Sequence, residues 1–250
     1  MRSLASLASI GCEPRDFIMA MRMRPVVAID GPVGAGKTTA ARALARALGF
    51  GYLNTGAMYR AVAIAARSSN IDENVADARL EELLNSIAID FKGERVLLDG
   101  EDITAEIAQP AIGDLASRLS TRPVVRAHLR KLQRGAGESG GVVIEGRDIG
   151  TAIFPDAEFK FFLTASLKVR AVRRFAELTA RGVTITEAEV QSQLVERDRR
   201  DAQRELAPLR QADDAVVIDS SQLDLEQVVH AMLARVLRQA ARGEAGEPKS

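Results

Sequence analysis

The sequence of 250 residues has little cysteine, few aromatic residues and no net charge. Its single cysteine, Cys12, excludes an intramolecular disulfide and a cysteine-based metal cluster, which suits a protein of the reducing cytoplasm. Lys and Arg number 34 and Asp and Glu number 34, so the chain has no overall attraction to nucleic acid or to an anionic membrane. No run approaches the ~20 consecutive apolar residues of a membrane span. Any basic binding site must therefore be local.

A glycine-rich turn follows the first apolar run, Val26–Ile29. Gly31–Thr38 reads GPVGAGKT, the G-x-x-x-x-G-K-T pattern of a P-loop. Its glycines allow backbone N–H groups to converge on phosphate oxygens, and the following helix directs its positive N-terminal end at the same anion. Lys37 is expected to reach the β- and γ-phosphates of a nucleoside triphosphate, and the Thr38 hydroxyl to ligate Mg²⁺. The predicted ATP-binding residues of this segment are Gly31, Pro32, Val33, Gly34, Ala35, Gly36, Lys37, Thr38 and Thr39.

Five apolar, strand-like runs alternate with helical patterns along the chain. The strands are expected at Val26–Asp30, Phe50–Leu53, Val142–Glu145, Phe159–Thr164 and Ala215–Asp219. The helices are expected at Thr39–Leu48, Ala57–Ala66, Ser166–Ala180, Glu187–Arg204 and Leu225–Arg242. The alternation predicts an α/β fold of the P-loop nucleoside triphosphate hydrolase type, with a five-stranded parallel sheet flanked by helices. Ligands bind beyond the carboxyl ends of such strands, so the turns after the first four strands should open on one crevice.

The stretch between the second and third strands has a different character, and we expect residues 70–135 to form an inserted subdomain. The expected elements are an antiparallel hairpin of Ile87–Phe91 and Arg95–Leu98, helical segments at Ala111–Leu119 and Val124–Leu132, and a loop at Gly135–Gly141. The remaining parts, 25–69 and 136–242, form the core of one domain spanning 25–242.

Residues 1–24 and 243–250 are expected to be disordered extensions of this domain. Leu4–Cys12, preceded by Arg2, faintly resembles a short export or lipoprotein signal. A single positive residue and two serine interruptions argue against such a signal.

Two clusters of polar residues follow predicted strands. Asn54–Arg60, NTGAMYR, turns into a helix, and Arg60 can bind an acceptor phosphate bidentately. The alternative is that Tyr59 packs and Arg60 is solvated. In Glu145–Thr151, EGRDIGT, the first residue occupies the position where P-loop proteins hold Mg²⁺ directly or through water. Its Arg-Asp pair would recognise a phosphate and a base amino group, or would simply brace the turn.

Arginines are concentrated after the fourth strand, at Arg170, Arg173, Arg174 and Arg181 and in the segment ERDRRDAQR at 196–204. Helical spacing predicts that Arg197, Arg200 and Arg204 share one stripe, with Asp201 beside them. Positive charge on a mobile helical flap suits phosphoryl transfer, because the transferring group spreads negative charge over its oxygens. The stripe could instead be a solvated face or contact RNA, but the 4% aromatic content and zero net charge disfavour nucleic acid.

Taken together, these segments resemble bacterial cytidylate kinases, P-loop nucleoside monophosphate kinases that phosphorylate CMP and dCMP. The resemblance covers about Pro25–Arg238. It rests on the ordered motifs GPVGAGKTT, NTGAMYR, RVLLDGEDIT, ASRLSTRPVVR, EGRDIGT with FPDA, ERDRRDAQRELAPL and DDAVVIDSS. Glu145 stands where the family more often has aspartate, and Ala108 where it often has arginine.

The resemblance implies a role for each matching residue. It implies catalytic roles for Lys37, Arg147, Arg197 and Arg204, and adds Arg173 to the ATP site. It implies CMP binding by Thr55, Tyr59, Arg60, Ser117, Arg126, Arg147, Asp148, Asp201 and Arg204. It further implies Mg²⁺ held by Thr38 and, through water, by Glu145. The insert would lie on the CMP side, and a lid would lie within about 170–204. The expected protein is a cytoplasmic monomer that uses ATP with CMP or dCMP, without nucleic-acid or membrane partners.

Other readings stay open at the level of sequence. A P-loop kinase for another small acceptor would keep Lys37 and Thr38 but show no preference for cytosine. An ATPase or GTPase switch is disfavoured because the sequence has no Asn-Lys-x-Asp guanine-reading motif, and because an arginine-rich lid suits transfer. A chance glycine turn is disfavoured by the strand before the P-loop pattern and the helix after it.

Overall fold

A computed structural model of the chain describes residues 24–244, with side chains described up to residue 239. Its main sheet has five strands, all parallel, in the spatial order β2-β6-β1-β7-β8. These strands are β1 (Val26–Asp30), β2 (Gly51–Asn54), β6 (Val142–Gly146), β7 (Phe159–Thr164) and β8 (Val216–Asp219). The predicted parallel sheet is confirmed, and each strand begins and ends within one residue of its expected position.

Helices cover both faces of the main sheet because its strands are apolar on both sides. Val27 and Ile29 of β1 pack in one core with α1 (Lys37–Leu48) and α8 (Leu225–Glu244), while Ala28 belongs to the core on the opposite face. That opposite core also contains residues of four helices. They are α2 (Thr55–Ser68), α3 (Asp77–Ser86), α4 (Pro110–Leu119) and α5 (Pro123–Gly137). The fold is therefore a three-layered α/β architecture with a buried parallel sheet.

A smaller antiparallel sheet lies in the stretch between β2 and β6. It contains β3 (Ile89–Lys92), β4 (Arg95–Leu98) and β5 (Glu101–Asp102) in that order, followed by a 3₁₀ turn at Glu106–Ala108. The predicted hairpin is confirmed. The sequence analysis missed β5 because two residues give no alternating pattern, and it did not identify α3.

The predicted loop at Gly135–Gly141 is wrong for its first three residues, which continue α5 to Gly137. The reason is a close contact with the segment after β6. A Cβ atom on Gly137 would lie 2.4 Å from Cζ of Phe154, so glycine is the residue that lets the helix approach this ring. Gly137, the last residue of the helix, permits this close packing.

Two helices after β7 form a small separate core. They are α6 (Leu167–Ala180) and α7 (Glu187–Gln203), joined through four buried apolar residues, Ala171, Leu178, Val190 and Leu194. Thr186 caps α7 by accepting from the Glu189 N–H, and the Glu189 carboxylate accepts from the Thr186 N–H. Val33 of the P-loop packs against this core. The arginine-rich segment is thereby connected to the phosphate-binding turn.

The closing helix is longer than predicted, since α8 continues through residues 243 and 244, which were assigned to the tail. The expected extension at 1–23, with Cys12, and the tail residues 245–250 lie outside the described residues. Within residues 24–244, no helix is both long enough and apolar enough to cross a membrane.

Candidate active site

A cleft of about 840 Å³ lies at the carboxyl ends of the main-sheet strands. It is lined by the P-loop at 33–40, by the turn and first helical residues after β2, by residues 145–148 at the end of β6 and directly after it, and by arginines of α6 and α7. The predicted opening of the first three strand ends on one crevice is confirmed. The turn after Thr164 does not line the cleft, and Ser220, which follows β8, does. The fourth strand contributes through its own Leu163 and through the helix α6 that it leads into.

The P-loop takes its shape from glycines with positive φ. These are Gly31 at φ 147°, Gly34 at 78° and Gly36 at 91°. A Cβ atom on Gly31 would lie 1.9 Å from the carbonyl oxygen of Leu163, so the loop could not pass β7 with any side chain at this position. Lys37 Nζ donates to the Pro32 carbonyl at 2.7 Å. Burial lowers the Lys37 pKa well below its usual value, and the neighbouring charge of Arg147 lowers it too.

A serine after β8 joins the P-loop to the predicted ATP-binding arginine. Ser220 Oγ donates to the Ala35 carbonyl at 3.1 Å and accepts from Arg173 at 2.9 Å. Arg173 also donates to the Ser220 carbonyl at 2.7 Å. Sequence analysis did not single out Ser220, because its P-loop partner lies 185 residues away. Its one signal was its position directly after the last strand.

The acid predicted to act near Mg²⁺ is held by a tyrosine. Tyr52 donates its hydroxyl to Oε1 of Glu145 at 2.6 Å, and Glu145 is 3% exposed. Burial raises the Tyr52 pKa and the Glu145 charge raises it further, so the phenol stays protonated as a donor. The exposed Thr38 lines the same cleft. In the described part of the chain, no group of three or more His, Cys, Asp or Glu residues could hold a metal ion by itself.

Asp148 joins elements that are far apart in sequence. Its carboxylate accepts from Arg126 of α5 through one oxygen and from Arg204 through the other, the latter at 3.1 Å. The three side chains are at most 9% exposed. Arg126 donates also to the Ser120 carbonyl at 3.4 Å. The Arg126–Asp148–Arg204 triad therefore fixes the turn after β6 against α5 and against the end of α7.

Arg147 and Arg197 lie beside a second buried carboxylate. Arg147 Nε donates to Asp201 at 2.9 Å. Burial opposes the charge of Asp201, but Arg147 and Arg197 reverse this effect and hold its pKa below the usual value. Burial lowers the Arg197 pKa to about 9, and Arg147 contributes in the same direction. Arg197 Nε is buried without a hydrogen-bond partner in the described residues, so this group remains available for an anion.

Arg60 of α2 extends this concentration of positive charge. Burial lowers its pKa first, followed by the charges of Arg174 and Arg147. Glu177 acts in the opposite direction. Cationic side chains that lower one another's pKa across a cleft are typical of a site for a highly charged anion.

The prediction of one arginine stripe is wrong. Arg197 lines the cleft, Arg200 is directed at α4, where it donates to Ser117 at 2.9 Å, and Arg204 lies beyond the last residue of α7. Arg204 leaves the helix because its backbone is extended and its Nε donates to the Ala207 carbonyl at 2.6 Å. The three arginines therefore contact different parts of the site.

A carboxylate that sequence analysis missed connects the two ends of the cleft. Asp30, the last residue of β1, accepts from the backbone N–H groups of Ile149 and Gly150, both at 2.8 Å. It is 4% exposed, and burial raises its pKa to about 6. No sequence pattern points to this role, because Asp30 stands in the sequence only as the last residue of an apolar strand.

Most of the predicted site residues meet at the cleft. Its lining includes Val33, Gly34, Ala35, Gly36, Lys37, Thr38, Thr39, Thr55, Tyr59, Arg60, Ser117, Glu145, Arg147, Asp148, Arg173, Arg197, Asp201 and Arg204. Gly31, Pro32 and Arg126 are buried and are not part of the lining. Thr55 donates to the Glu145 carbonyl at 2.7 Å, so this hydroxyl also fixes the turn after β6.

The family model and the relatives identified by sequence agree with each other. A family model described as cytidylate kinase matches residues 27–238. A cytidylate kinase of Citrifermentans bemidjiense is 48% identical, over 88% of this chain and 96% of the relative. One from Thermotoga maritima is 43% identical, over 84% of this chain and 96% of the relative. A solved shikimate kinase from Acinetobacter baumannii, in complex with shikimate, matches at 15% identity and a TM-score of 0.47, covering 89% of this chain and 98% of that one.

Proposed function

Because the chain belongs to the cytidylate kinase family, we propose that it transfers the γ-phosphoryl group of ATP to CMP or dCMP, giving ADP with CDP or dCDP. The observation that carries this proposal is the single cleft shared by a P-loop and a network of buried arginines and aspartates. A phosphoryl donor and a phosphorylated acceptor both find cationic groups there. The reaction is then an in-line transfer between two phosphates.

At the ATP end, the backbone N–H groups of residues 33–39 bind the phosphates and Lys37 neutralises charge on the β- and γ-phosphates. Its hydrogen bond to the Pro32 carbonyl holds the ammonium group at the loop before ATP arrives. Arg173, fixed by Ser220, binds the nucleotide on the side of α6. These groups orient the donor with little movement, which lowers the entropic cost of reaching the reactive geometry.

At the acceptor end, Asp148 and Ser117 read the cytosine base, Arg126 braces Asp148 from its buried side, and Thr55 and Tyr59 line the place of the base. The Asp148 carboxylate accepts from two guanidinium groups, and its remaining lone pairs can accept from the cytosine amino group. Asp201 binds the sugar. These roles make acceptor recognition depend on charged side chains from three segments of the chain.

The reacting phosphates lie among Arg60, Arg147, Arg197 and Arg204. The acceptor phosphate is already anionic near neutral pH, so the reaction needs no general base. Catalysis consists of aligning two polyanions and neutralising the negative charge that spreads over the transferring group. Closure of the α6–α7 segment over the phosphates excludes water that would otherwise hydrolyse ATP.

The donor set fits Mg²⁺, with Thr38 as a ligand and Glu145 acting through a bound water. Both groups offer oxygen atoms, which Mg²⁺ prefers, and Tyr52 leaves one Glu145 oxygen free of its own hydrogen bond. When bound, the ion would neutralise charge on the β- and γ-phosphates. Tyr52 and Thr55 hold the acid in place through its side chain and its backbone.

Different parts of the domain have different roles in this function. Residues 70–135 form the acceptor-binding insert on a core of 25–69 and 136–242, and the arginine-rich part of 170–204 forms the lid. Contacts between lid and insert support this division, since Arg181 donates to the Ala108 carbonyl at 2.9 Å. We further propose that the enzyme is monomeric and works in the cytoplasm, where its nucleotide substrates are made.

The test is ADP release from Mg-ATP with CMP, dCMP, UMP, AMP or no acceptor, all with one preparation of the protein. We expect rapid turnover with CMP and dCMP, slower turnover with UMP, and little without an acceptor. Preference for another acceptor would retain only the P-loop assignment. Acceptor-independent turnover would identify an ATPase. Repeating the series after chelation of Mg²⁺ tests the metal requirement separately, and rates that survive chelation would contradict it.

A further inference from the structure

Arg200 lies outside the cleft lining and contacts Ser117, a residue of the acceptor end. One of its guanidinium nitrogens donates to Ser117 Oγ at 2.9 Å and lies 3.4 Å from a carboxylate oxygen of Asp114. Ser117 is 4% exposed and lines the cleft, whereas Arg200 itself is not part of the lining. Any effect of Arg200 on a ligand would therefore act through the serine.

The direction of this hydrogen bond is fixed by chemistry. A guanidinium group has donors only, so the Ser117 oxygen must accept from it. In the described part of the chain, Arg200 is the hydrogen-bond partner of this hydroxyl. The hydroxyl hydrogen is consequently free to point into the cleft. One lone pair of the oxygen remains, but the adjacent guanidinium charge repels the hydroxyl hydrogen and disfavours a second incoming donor, so Ser117 presents a donor to a ligand.

A short chain of hydrogen bonds connects Ser117 to Asp148, the carboxylate proposed to bind the cytosine amino group. Ser120 Oγ donates to the Ser117 carbonyl at 2.8 Å, Arg126 donates to the Ser120 carbonyl, and Arg126 also donates to Asp148. Ser117 and Asp148 are therefore held relative to each other by buried groups. One of them presents a donor and the other an acceptor.

Cytosine and uracil differ in the hydrogen-bonding groups that they would present to Ser117 and Asp148. Cytosine offers an acceptor at N3 beside the donor amino group at C4, whereas uracil offers a donor at N3 beside an acceptor oxygen at C4. A donating serine with an accepting carboxylate complements cytosine at both positions. With uracil, the serine donor would face the N3–H donor and the carboxylate would face the C4 oxygen. Neither contact would form a hydrogen bond, and unpaired buried polar groups are costly.

We propose that Arg200 is a positioning residue that holds the Ser117 hydroxyl as a donor and so makes the acceptor site prefer cytosine over uracil. The inference rests on the proposed function and specifies how one of its readers is controlled. Without Arg200, the serine hydroxyl can rotate and accept from uracil N3–H as easily as it donates to cytosine. Because Arg200 belongs to α7, correct orientation of the serine also requires that the lid segment lies against α4.

The experiment compares kcat/KM for CMP with kcat/KM for UMP in single preparations, so that any unfolded fraction cancels from the ratio. Arg200→Met removes the donor and keeps an unbranched stem, and Arg200→Lys retains a side chain that can only donate. Arg199→Met is the matched control, because Arg199 lies in the same helix, is exposed, and bonds to Glu196 and Gln203.

We expect Arg200→Met to lower the CMP-to-UMP ratio about tenfold, the size of one well-placed hydrogen bond. Arg200→Lys should retain most of the ratio, and Arg199→Met should leave it unchanged. Ser117→Ala should lower the ratio by itself, and adding Arg200→Met to it should change the ratio no further.

Two results would overturn the inference. One is an unchanged ratio in Arg200→Met, whatever happens to the absolute rates, because the arginine would then only support the lid. The other is a further fall in the ratio when Arg200→Met is added to Ser117→Ala, because the effect would not pass through the serine. A wild-type protein without CMP turnover would instead remove the proposed function, and with it this inference.

Discussion

The two ends of the cleft are formed by different chemical groups, backbone at the ATP end and charged side chains at the acceptor end. The ATP end is a backbone surface, formed by a short loop whose three glycines have positive φ and stabilised by carbonyl contacts of Lys37 and Ser220. The acceptor end is a surface of charged side chains, with Asp148 held by two arginines and Asp201 by a third. One end binds phosphate through peptide groups and the other recognises a molecule through ionised groups.

This difference decides which kind of substitution each end tolerates. A backbone cradle depends on conformations that only glycine adopts without strain, and it is insensitive to small changes of charge nearby. An ionic network tolerates small shifts of the backbone, but removing one partner leaves a buried charge uncompensated. Backbone substitutions should therefore damage ATP use, and charge substitutions other than at the P-loop lysine Lys37 should damage acceptor use.

The largest effect is expected at Lys37, the charged side chain anchored within the backbone cradle. Lys37→Ala should lower kcat by about a thousandfold or more, because the β- and γ-phosphates lose a desolvated positive charge during transfer. Steady-state ADP release measures the rate, and the thermal midpoint checks the fold. A folded Lys37→Ala enzyme with a normal rate would remove the core of the proposed function.

The next effect tests the acceptor end. Asp148→Asn should lower kcat/KM for CMP about a hundredfold, because the amide no longer offers the carboxylate that the amino group of cytosine and two buried arginines require. The KM for ATP should change little, and both constants come from one matrix of substrate concentrations. Asp214→Asn is the control, since it removes an exposed carboxylate that pairs with Lys160. Equal damage to CMP use and ATP use would break the contrast between the two ends.

Asp30 joins the two ends, and its effect should appear in stability. Burial raises its pKa from 3.8 to about 6, so over this window the folded protein retains a proton that the unfolded chain releases. The unfolding free energy should therefore fall as pH rises from about 4 to 6, by an amount on the order of 3 kcal/mol. Asp30→Asn removes this titration.

Urea unfolding of both proteins at about pH 4 and pH 7 measures the difference. The wild type should lose more stability than Asp30→Asn on going to the higher pH, and subtracting the two curves cancels the contribution of all other groups. Parallel behaviour of the two proteins would mean that Asp30 titrates alike in the folded and unfolded chain.

The smallest effect concerns the backbone cradle. Gly34 has φ 78°, and a Cβ atom there would lie 3.1 Å from Cβ of Arg170. Gly34→Ala should raise the KM for ATP about tenfold and leave the KM for CMP nearly unchanged, because the strained loop no longer converges on the phosphates. Gly49→Ala is a matched control, with φ 68° at the end of α1 and nothing within 4 Å of the added atom. If both variants show the same ATP kinetics, backbone strain alone does not explain the cradle.

How much the sequence could predict follows the same division. The strand, loop and helix at Val26–Leu48 are encoded within one short segment, and apolar runs identified the other main-sheet strands. The acceptor site depends on pairs such as Arg204–Asp148 and Arg147–Asp201, which are 56 and 54 residues apart. The resemblance named most of these residues, but no local pattern reveals their partners.

Each wrong or missed prediction reflects a contact of the folded chain that no sequence pattern shows. The arginine stripe assumed that the helix continues through Arg204, but the chain turns there and the Arg204 side chain donates to the Ala207 carbonyl three residues on. The loop at Gly135–Gly141 assumed that glycines break a helix, whereas Gly137 permits contact with Phe154. Asp30, Tyr52 and Ser220 went unnoticed because each acts through a residue more than 90 positions away.

The clustered arginines also affect the lifetime of the protein. Without a ligand, Arg60 and Arg197 lie among like charges, and a polyanion that binds there relieves repulsion in addition to forming new bonds. Binding to the folded state alone raises the free energy of unfolding with the logarithm of ligand concentration. Protein molecules without bound nucleotide are therefore the most exposed to unfolding and proteolysis. The supply of nucleotides thus affects how long each protein molecule persists as well as how fast it works.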